Sequence, residues 1–319
     1  MVPCPGVPGQ GPGALVKRSV SLIAFAVLMF ALCGAGGALL AARAGAGARV
    51  EPARPALRIV SLAPSVTEIL FAVGAGGRVV GATDYCTHPP EAASIPRVGG
   101  LIDPNFEAML DLAPDLAVMP ASHADSARVL ASLGIPALVV DHASIGGIAD
   151  SIEAIGRAAG APSAAARVAA ELRGRLDRVE RAARDLPRVR AMLCIDRPAG
   201  GIADVCIAGR DGFYDPLLAL AGGRNVYEAA TPLFPLVGAE GIVRLDPEVI
   251  IEFRAGAPAG ESDAAVLADW QSLRAVSAAR TGRIHIVRDA FMVIPGPRIA
   301  AIAERLLAAL HPEAQERLP

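Results

Sequence analysis

Four aromatic side chains, Tyr85, Phe213, Phe234 and Phe291, stand in short Pro-, Gly- or Asp-rich segments of a chain with only 4% aromatics. Pro64, Ser65, Leu101 and Arg254 occupy segments of the same kind. Exposed rings with a few polar anchors hold large flat ligands mainly through apolar area, which is binding chemistry rather than turnover. The individual readings stay open. Phe213 opens an apparent helix and serves equally well as core, and Phe291 follows the strand-like run Ile284–Val287. Arg254 follows the run Val249–Phe253, where it anchors an anion or is merely solvated.

Catalytic patterns are missing. Ser61 and Ser65 have no obvious His or Asp partner in the sequence, and Gly74-Ala-Gly-Gly77 lacks dinucleotide spacing. Neither a P-loop nor a nucleophile elbow occurs. The histidines, His88, His123, His142, His285 and His311, form no spaced pair. A metal would need several converging ligands; His123 and Asp141 are the nearest candidates, and no metal site is expected. The chain is read as a binder, not an enzyme, with no resident cofactor.

Cys86, Cys194 and Cys206 are the cysteines beyond the N-terminal segment. Cys194 and Cys206 flank the turn-like Pro198-Ala199-Gly200-Gly201. A hairpin there sets them opposite each other, and a disulfide closing that loop would contribute about 3 kcal/mol. Two separate buried thiols are the alternative.

These residues need elements to hold them. The 319 residues are 53% hydrophobic and 19% charged with a formal net charge of -2. That excludes a disordered chain and gives no reason to expect nucleic acid. Short apolar runs alternate with helical stretches, the pattern of a parallel sheet covered on both faces. Ser163–Arg184 interrupts the pattern with one long amphipathic helix whose apolar face carries Ala165, Val168, Ala169, Leu172, Leu176 and Val179. The fold class expected is α/β: two lobes with mainly parallel sheets, joined by a single helix. The boundaries expected are 57–161 for the first lobe, 162–186 for the bridging helix, 187–311 for the second lobe and 312–319 for a tail. The halves echo each other, with Glu107 and Glu240 each followed by Leu at five, Pro at seven and an acid at eight residues.

Residues 1–48 read as an export segment, with Lys17 and Arg18 ahead of an apolar stretch and small residues after it. A cleaved signal and an uncleaved membrane anchor both fit, as does lipidation at Cys33. Residues 49–56 form a linker. The folded part is expected to be periplasmic or otherwise extracytoplasmic.

Arg58-Ile-Val-Ser-Leu-Ala-Pro-Ser-Val-Thr-Glu-Ile-Leu70 resembles the opening of the helical-backbone class of ABC-transporter solute-binding proteins. Gly81–Glu91, Pro96–Gly100, Asn105–Leu116, Leu220–Val226 and Gly296–Ile299 extend the match, and the Tyr-x-x-x-Pro-Pro segment at Tyr85 is most similar to the cobalamin-binding branch. The resemblance implies a ligand held between the lobes, cobalamin or a related corrinoid, touched by Tyr85. Phe234 stands where a tryptophan is common, and Leu101 where some relatives carry an aromatic residue. It also implies docking on an ABC permease, and through it an ATPase subunit, by Glu107 and Glu240. The chain is expected to be monomeric. Haem or a ferric siderophore is the rival ligand, with Tyr85 on the iron and Arg254 on a carboxylate. A tetrapyrrole enzyme such as a chelatase is the remote alternative.

Overall fold

A computed structural model describes residues 54–229, 231–255 and 260–317. The export segment at 1–48, with its cleavage, anchoring and lipidation readings, lies outside them, as does most of the linker. No helix among the described residues is long and apolar enough to cross a membrane.

The first lobe is built on four parallel strands, β1 (Ile59–Ser61), β2 (Val79–Ala82), β3 (Leu116–Pro120) and β4 (Ala137–Val140), in the order β2-β1-β3-β4. Ile59, Val60, Leu116, Ala117, Val118 and Met119 are completely buried, as strands covered on both faces must be. Around the sheet lie α1 (Pro64–Ala72), α2 (Phe106–Asp111), α3 (Ala124–Ser132) and α4 (Ile145–Ala158). Pro64 supplies the first residue of α1, where its missing N–H costs nothing. Asn105 caps α2 by accepting from Ala108 N at 3.0 Å, and Ser144 caps α4 by accepting from Gly147 N at 2.9 Å.

Helix α5 (Pro162–Ala183) then runs unbroken for 22 residues. Its buried face holds Ala165, Ala169, Leu172, Leu176 and Val179 of the expected stripe, with Ala182 and Ala183 added, while Val168 is half-buried. It packs on α4 and on the last helix, α10 (Ile299–Leu310). Arg175 grips Glu304 of α10 with two bonds of 2.9 and 2.7 Å.

The second lobe is built on a six-stranded sheet. Its strands are β5 (Val189–Asp196), β6 (Val205–Ile207), β7 (Gly223–Asn225), β8 (Leu236–Val237), β9 (Val249–Phe253) and β10 (Ile284–Val287). β7, β9 and β10 continue the parallel pattern, whereas β6 and β8 pair antiparallel. Helices α6 (Tyr214–Leu220), α7 (Ala239–Leu245), α8 (Asp263–Gln271) and α9 (Ser277–Thr281) connect them. The architecture is therefore two α/β lobes joined by one long helix.

Of the two cysteine readings, the disulfide is the one to correct, and the separate buried thiols hold. β5 and β6 do form the hairpin, but Cys194 lies opposite Ile207 and Cys206 opposite Asp196, across a register irregularity. Cys194 packs with Ile250 and Trp270, and Cys206 in the separate cluster that holds Phe213 and Tyr214. The side chains thus leave the sheet on opposite faces, and both thiols are free. Burial pushes the Cys206 thiol up to about 12.

The two halves repeat each other in detail. α2 and α7 are each followed by a residue with positive φ just before proline, Ala113 (φ 42°) and Asp246 (φ 39°). The acids that follow, Asp115 and Glu248, accept from the backbone N–H of Arg58 at 3.0 Å and of Arg190 at 3.1 Å. Those arginines reach back to the ends of the helices, Arg58 to Leu112 O and Arg190 to Leu245 O, each at 2.6 Å. One arginine–acid clamp thus ties each of these short helices to the first strand of its lobe.

Candidate functional site

The carboxyl ends of parallel strands are where α/β proteins place ligands. In the second lobe they carry a packed aromatic group. Phe213 and Tyr214 lie 4.1 Å apart between ring centroids, with Phe234 at 6.4 Å and Phe253 at 5.6 Å from Tyr214. The Tyr214 hydroxyl donates to Met292 O at 2.6 Å, fixing the 3-10 turn Ala290–Val293 to this group. Ala143 of the first lobe closes over Phe213, Tyr214, Leu233 and Phe234, leaving an apolar cavity of about 20 Å³. That is room for roughly one water, so a large ligand requires the lobes to part here. Phe213 and Phe234 are buried at this seam, 4% and 7% exposed. Gly209 is required beside them, since a Cβ there would lie 2.6 Å from Pro232 O.

In the first lobe Tyr85 and Leu101 are both half-buried, and neither lines the cavity at this seam. Arg97 organises the Tyr85 loop by donating to Thr83 O at 2.9 Å, Cys86 O at 3.0 Å and Ala92 O at 3.2 Å. Gly99 turns the next segment with φ 86°, and a Cβ there would meet Asp103 O at 2.7 Å. Desolvation first, then the carboxylates of Asp103 and Asp84, raise the Tyr85 hydroxyl above its usual range. The sequence reading missed Arg97, although it stands inside the quoted Pro96–Gly100 motif.

Ser65 departs from expectation, because it has a histidine partner: its Oγ lies 3.0 Å from His142 Nδ1. Both are buried, at 3% and 4% exposure. Burial lowers His142 to about 4, leaving the ring neutral, and its Nε2 has no hydrogen-bond partner among the described residues. The Ser-His-Asp arrangement carries a carboxylate on the histidine's second nitrogen, and no such bond is present among the described residues. Pro64, its neighbour, is half-buried at the start of α1.

Arg254 does not serve as a free anchor. It is 5% exposed, paired with both oxygens of Glu261, and donates to Arg197 O at 2.9 Å. Beside it Arg197 and Glu252, both fully buried side chains, pair at 3.0 Å. Asp269 also holds Arg197, at 2.8 Å, and Trp270 Nε1 donates to Glu252. The guanidinium is thus committed to a buried network at the ends of β5 and β9. Phe291 is half-buried, with the Arg298 guanidinium 5.2 Å from its ring centroid.

A larger concavity, about 370 Å³, opens on the second lobe between Arg188, Arg210, Asp215, Arg224 and Glu228. It contains none of the rings, and Arg224 pairs with Glu228 there at 2.5 Å.

Glu107 and Glu240 are both exposed, each as the second residue of its short helix. Three residues on, α2 exposes Leu110 (43%) and α7 exposes Val243 (38%). Two matched faces, one per lobe, thus present an acid and an aliphatic side by side.

Two α/β lobes on a single helix, with rings at the seam, define a two-lobed solute-binding protein. The sequence profile of a periplasmic binding protein family matches residues 59–290, and the chain belongs to that family. Among curated relatives, a cobalamin-binding protein of Halobacterium salinarum is 30% identical over 80% of this chain and 69% of its own. An uncharacterised ABC transporter substrate-binding lipoprotein of Bacillus subtilis is 29% identical over 80% of each. Among solved structures, the periplasmic vitamin B12 binding protein of Vibrio cholerae superposes with TM-score 0.69 at 24% identity, covering 82% of this chain and 99% of that one. The periplasmic heme-binding protein of Roseiflexus sp. RS-1 gives 0.69 at 25% identity, covering 81% and 99%. Relatives of this kind are extracytoplasmic substrate-binding components of ABC transporters.

Proposed function

We propose that this chain captures cobalamin or a related corrinoid between its lobes and delivers it to an ABC permease. The observation that carries the reading is the ring surface of Phe213, Tyr214 and Phe234 meeting the first lobe across an apolar seam. A broad macrocycle entering there gains area on those rings, and we expect Tyr85 and Leu101 of the first lobe to add to it. Relatives that bear the name cobalamin-binding protein support the choice.

Delivery follows from the matched faces. Glu107 and Glu240 meet basic groups on the permease, and the ligand leaves as the permease separates the lobes. Partner subunits hydrolyse ATP; this chain, acting as a monomer, needs no nucleotide, metal or resident cofactor and catalyses no reaction. Residues 1–48 export it, and whether they stay attached decides between a free and an anchored form.

Titration of the chain lacking residues 1–48 with cyanocobalamin, followed by heat and thermal shift, tests the ligand. One-to-one binding at micromolar affinity or tighter is expected. Binding of haemin alone would move the ligand to haem, the second reading, which the heme-binding structural relative favours.

A further inference from the structure

We propose that Glu68 and Arg298 form a positioning pair that sets the spacing of the lobes and thereby the width of the cleft. Glu68 lies on α1 of the first lobe, and Arg298 immediately precedes α10, which packs on α6 and β9 of the second. Arg298 donates from Nε to Oε2 at 2.9 Å and from Nη2 to Oε1 at 2.5 Å, joining residues 230 positions apart. The Glu68 side chain is only 3% exposed and that of Arg298 28%. A two-pronged bond between charged groups fixes orientation as well as distance. It is reinforced by close approach, because a Cβ on Gly296 would lie 3.4 Å from Ser65 Cα and 3.5 Å from Glu68 Oε2.

The pair belongs to a closed circuit of contacts that crosses between lobes twice. From Glu68 the circuit runs along α1 to Ser65, through its bond to His142, to the adjacent Ala143. Ala143 lines one small cavity with Phe213, Tyr214 and Phe234 across the seam. Tyr214 holds Met292, next to Phe291, whose ring underlies Arg298. The seam where the rings lie therefore cannot widen without changing the ion pair. Because α5 alone carries the chain from lobe to lobe, the angle about it is limited by contacts of this kind. A buried carboxylate is costly to leave unpaired, which biases the lobes toward the closed arrangement until water reaches Glu68.

The test uses the full chain, with Cys4 and Cys33 replaced by serine and spin labels at Ser132→Cys and Thr281→Cys, both exposed positions, one on each lobe. Pulsed dipolar spectroscopy then reads the interlobe distance without any ligand. Glu68→Gln, Arg298→Gln and their combination should broaden the distribution toward longer distances. Arg298→Lys, which keeps the charge but not the fork, should fall between. Should Arg298→Gln fail to fold, Glu68→Gln and Arg298→Lys carry the same reading. A distribution unchanged in the folded variants overturns the proposal.

With cyanocobalamin as probe, association and dissociation should both accelerate several-fold in Arg298→Lys while affinity changes little. A slower or unchanged exchange would count against the pair as a positioning device. This second readout rests on the corrinoid reading. A wild-type chain that ignores cyanocobalamin would sink that reading alone, leaving the spin-label distances to decide the tether.

Discussion

Tyr85 and His142 sit in the same lobe, and burial moves both toward their neutral forms. For Tyr85 the neighbouring Asp84 and Asp103 carboxylates add to that effect. A phenolate bound to iron would have to form against them, which favours the corrinoid reading over haem. Tyr85→Phe should therefore leave cyanocobalamin affinity within about threefold, because the ring area remains. A loss of haemin binding in the same variant, with haemin the tighter wild-type ligand, would reverse the assignment. For His142 the consequence is pH-dependent stability. Its protonated form is disfavoured in the fold but not in the unfolded chain, so its contribution is intact above about pH 6.5. That contribution declines as pH falls toward the folded value of about 4. The loss amounts to about 3 kcal/mol. Asp196 works in the opposite direction, because burial raises its carboxyl to about 6 and the fold keeps its proton more readily. Comparing His142→Gln with wild type isolates the histidine. The variant's melting temperature should fall less between pH 6.5 and 4, and equal slopes would refute the assignment.

At the scale of elements, the sequence revealed most where a pattern is local. Continuous apolar runs became β1 to β5, β9 and β10, and the Ser163–Arg184 stripe became α5, because burial on defined faces leaves a periodic trace. Relations across elements were less legible. The eight residues between β5 and β6 leave the register free, so spacing alone did not tell that Cys194 and Cys206 face opposite ways. Arg254 looked like an anion anchor because Glu261, its main partner, lies seven residues on in a polar segment. Glu252 in the middle of an apolar strand was the available warning. The same blindness covers Gly156, which lets α4 approach α5 so closely that a Cβ would lie 2.1 Å from Ala165 Cβ. Gly156→Ala should destabilise the chain by about 1–3 kcal/mol despite the better helix propensity of alanine. Urea unfolding measures this, and a neutral or stabilising result would mean the two helices can separate freely. Glu252→Ala should cost more, about 3–5 kcal/mol, since Arg197 would stay buried without the one fully buried acid it pairs with. Guanidinium unfolding is the check, and a loss below about 1 kcal/mol would show that Asp269 suffices.

On the scale of the whole molecule, the repeat matters more than either lobe. The arginine–acid clamps at Arg58–Asp115 and Arg190–Glu248 fix α2 and α7 to corresponding places on two different sheets. Glu107 and Glu240 are thereby presented as a matched pair, and the spacing between them depends on the angle about α5. A partner that grips both glutamates therefore feels, and can change, the opening of the cleft. One glutamate near a helix N-terminus is explained by the dipole, worth about 0.3–1 kcal/mol; two in the same register, each beside an exposed aliphatic, are better explained by a partner with two like surfaces. Reversing both charges separates these explanations. Glu107→Arg with Glu240→Arg should lower stability by at most about 2 kcal/mol if only the dipole is lost. Ligand affinity should be unchanged, because both side chains point to solvent. Uptake of labelled cobalamin by cells that carry only the variant should be abolished, since each reversed contact at a charged interface costs about 2–5 kcal/mol. Each single variant should retain partial uptake. Normal uptake in the double variant would remove the docking role from both residues. Impaired ligand binding would instead assign them to holding the cleft.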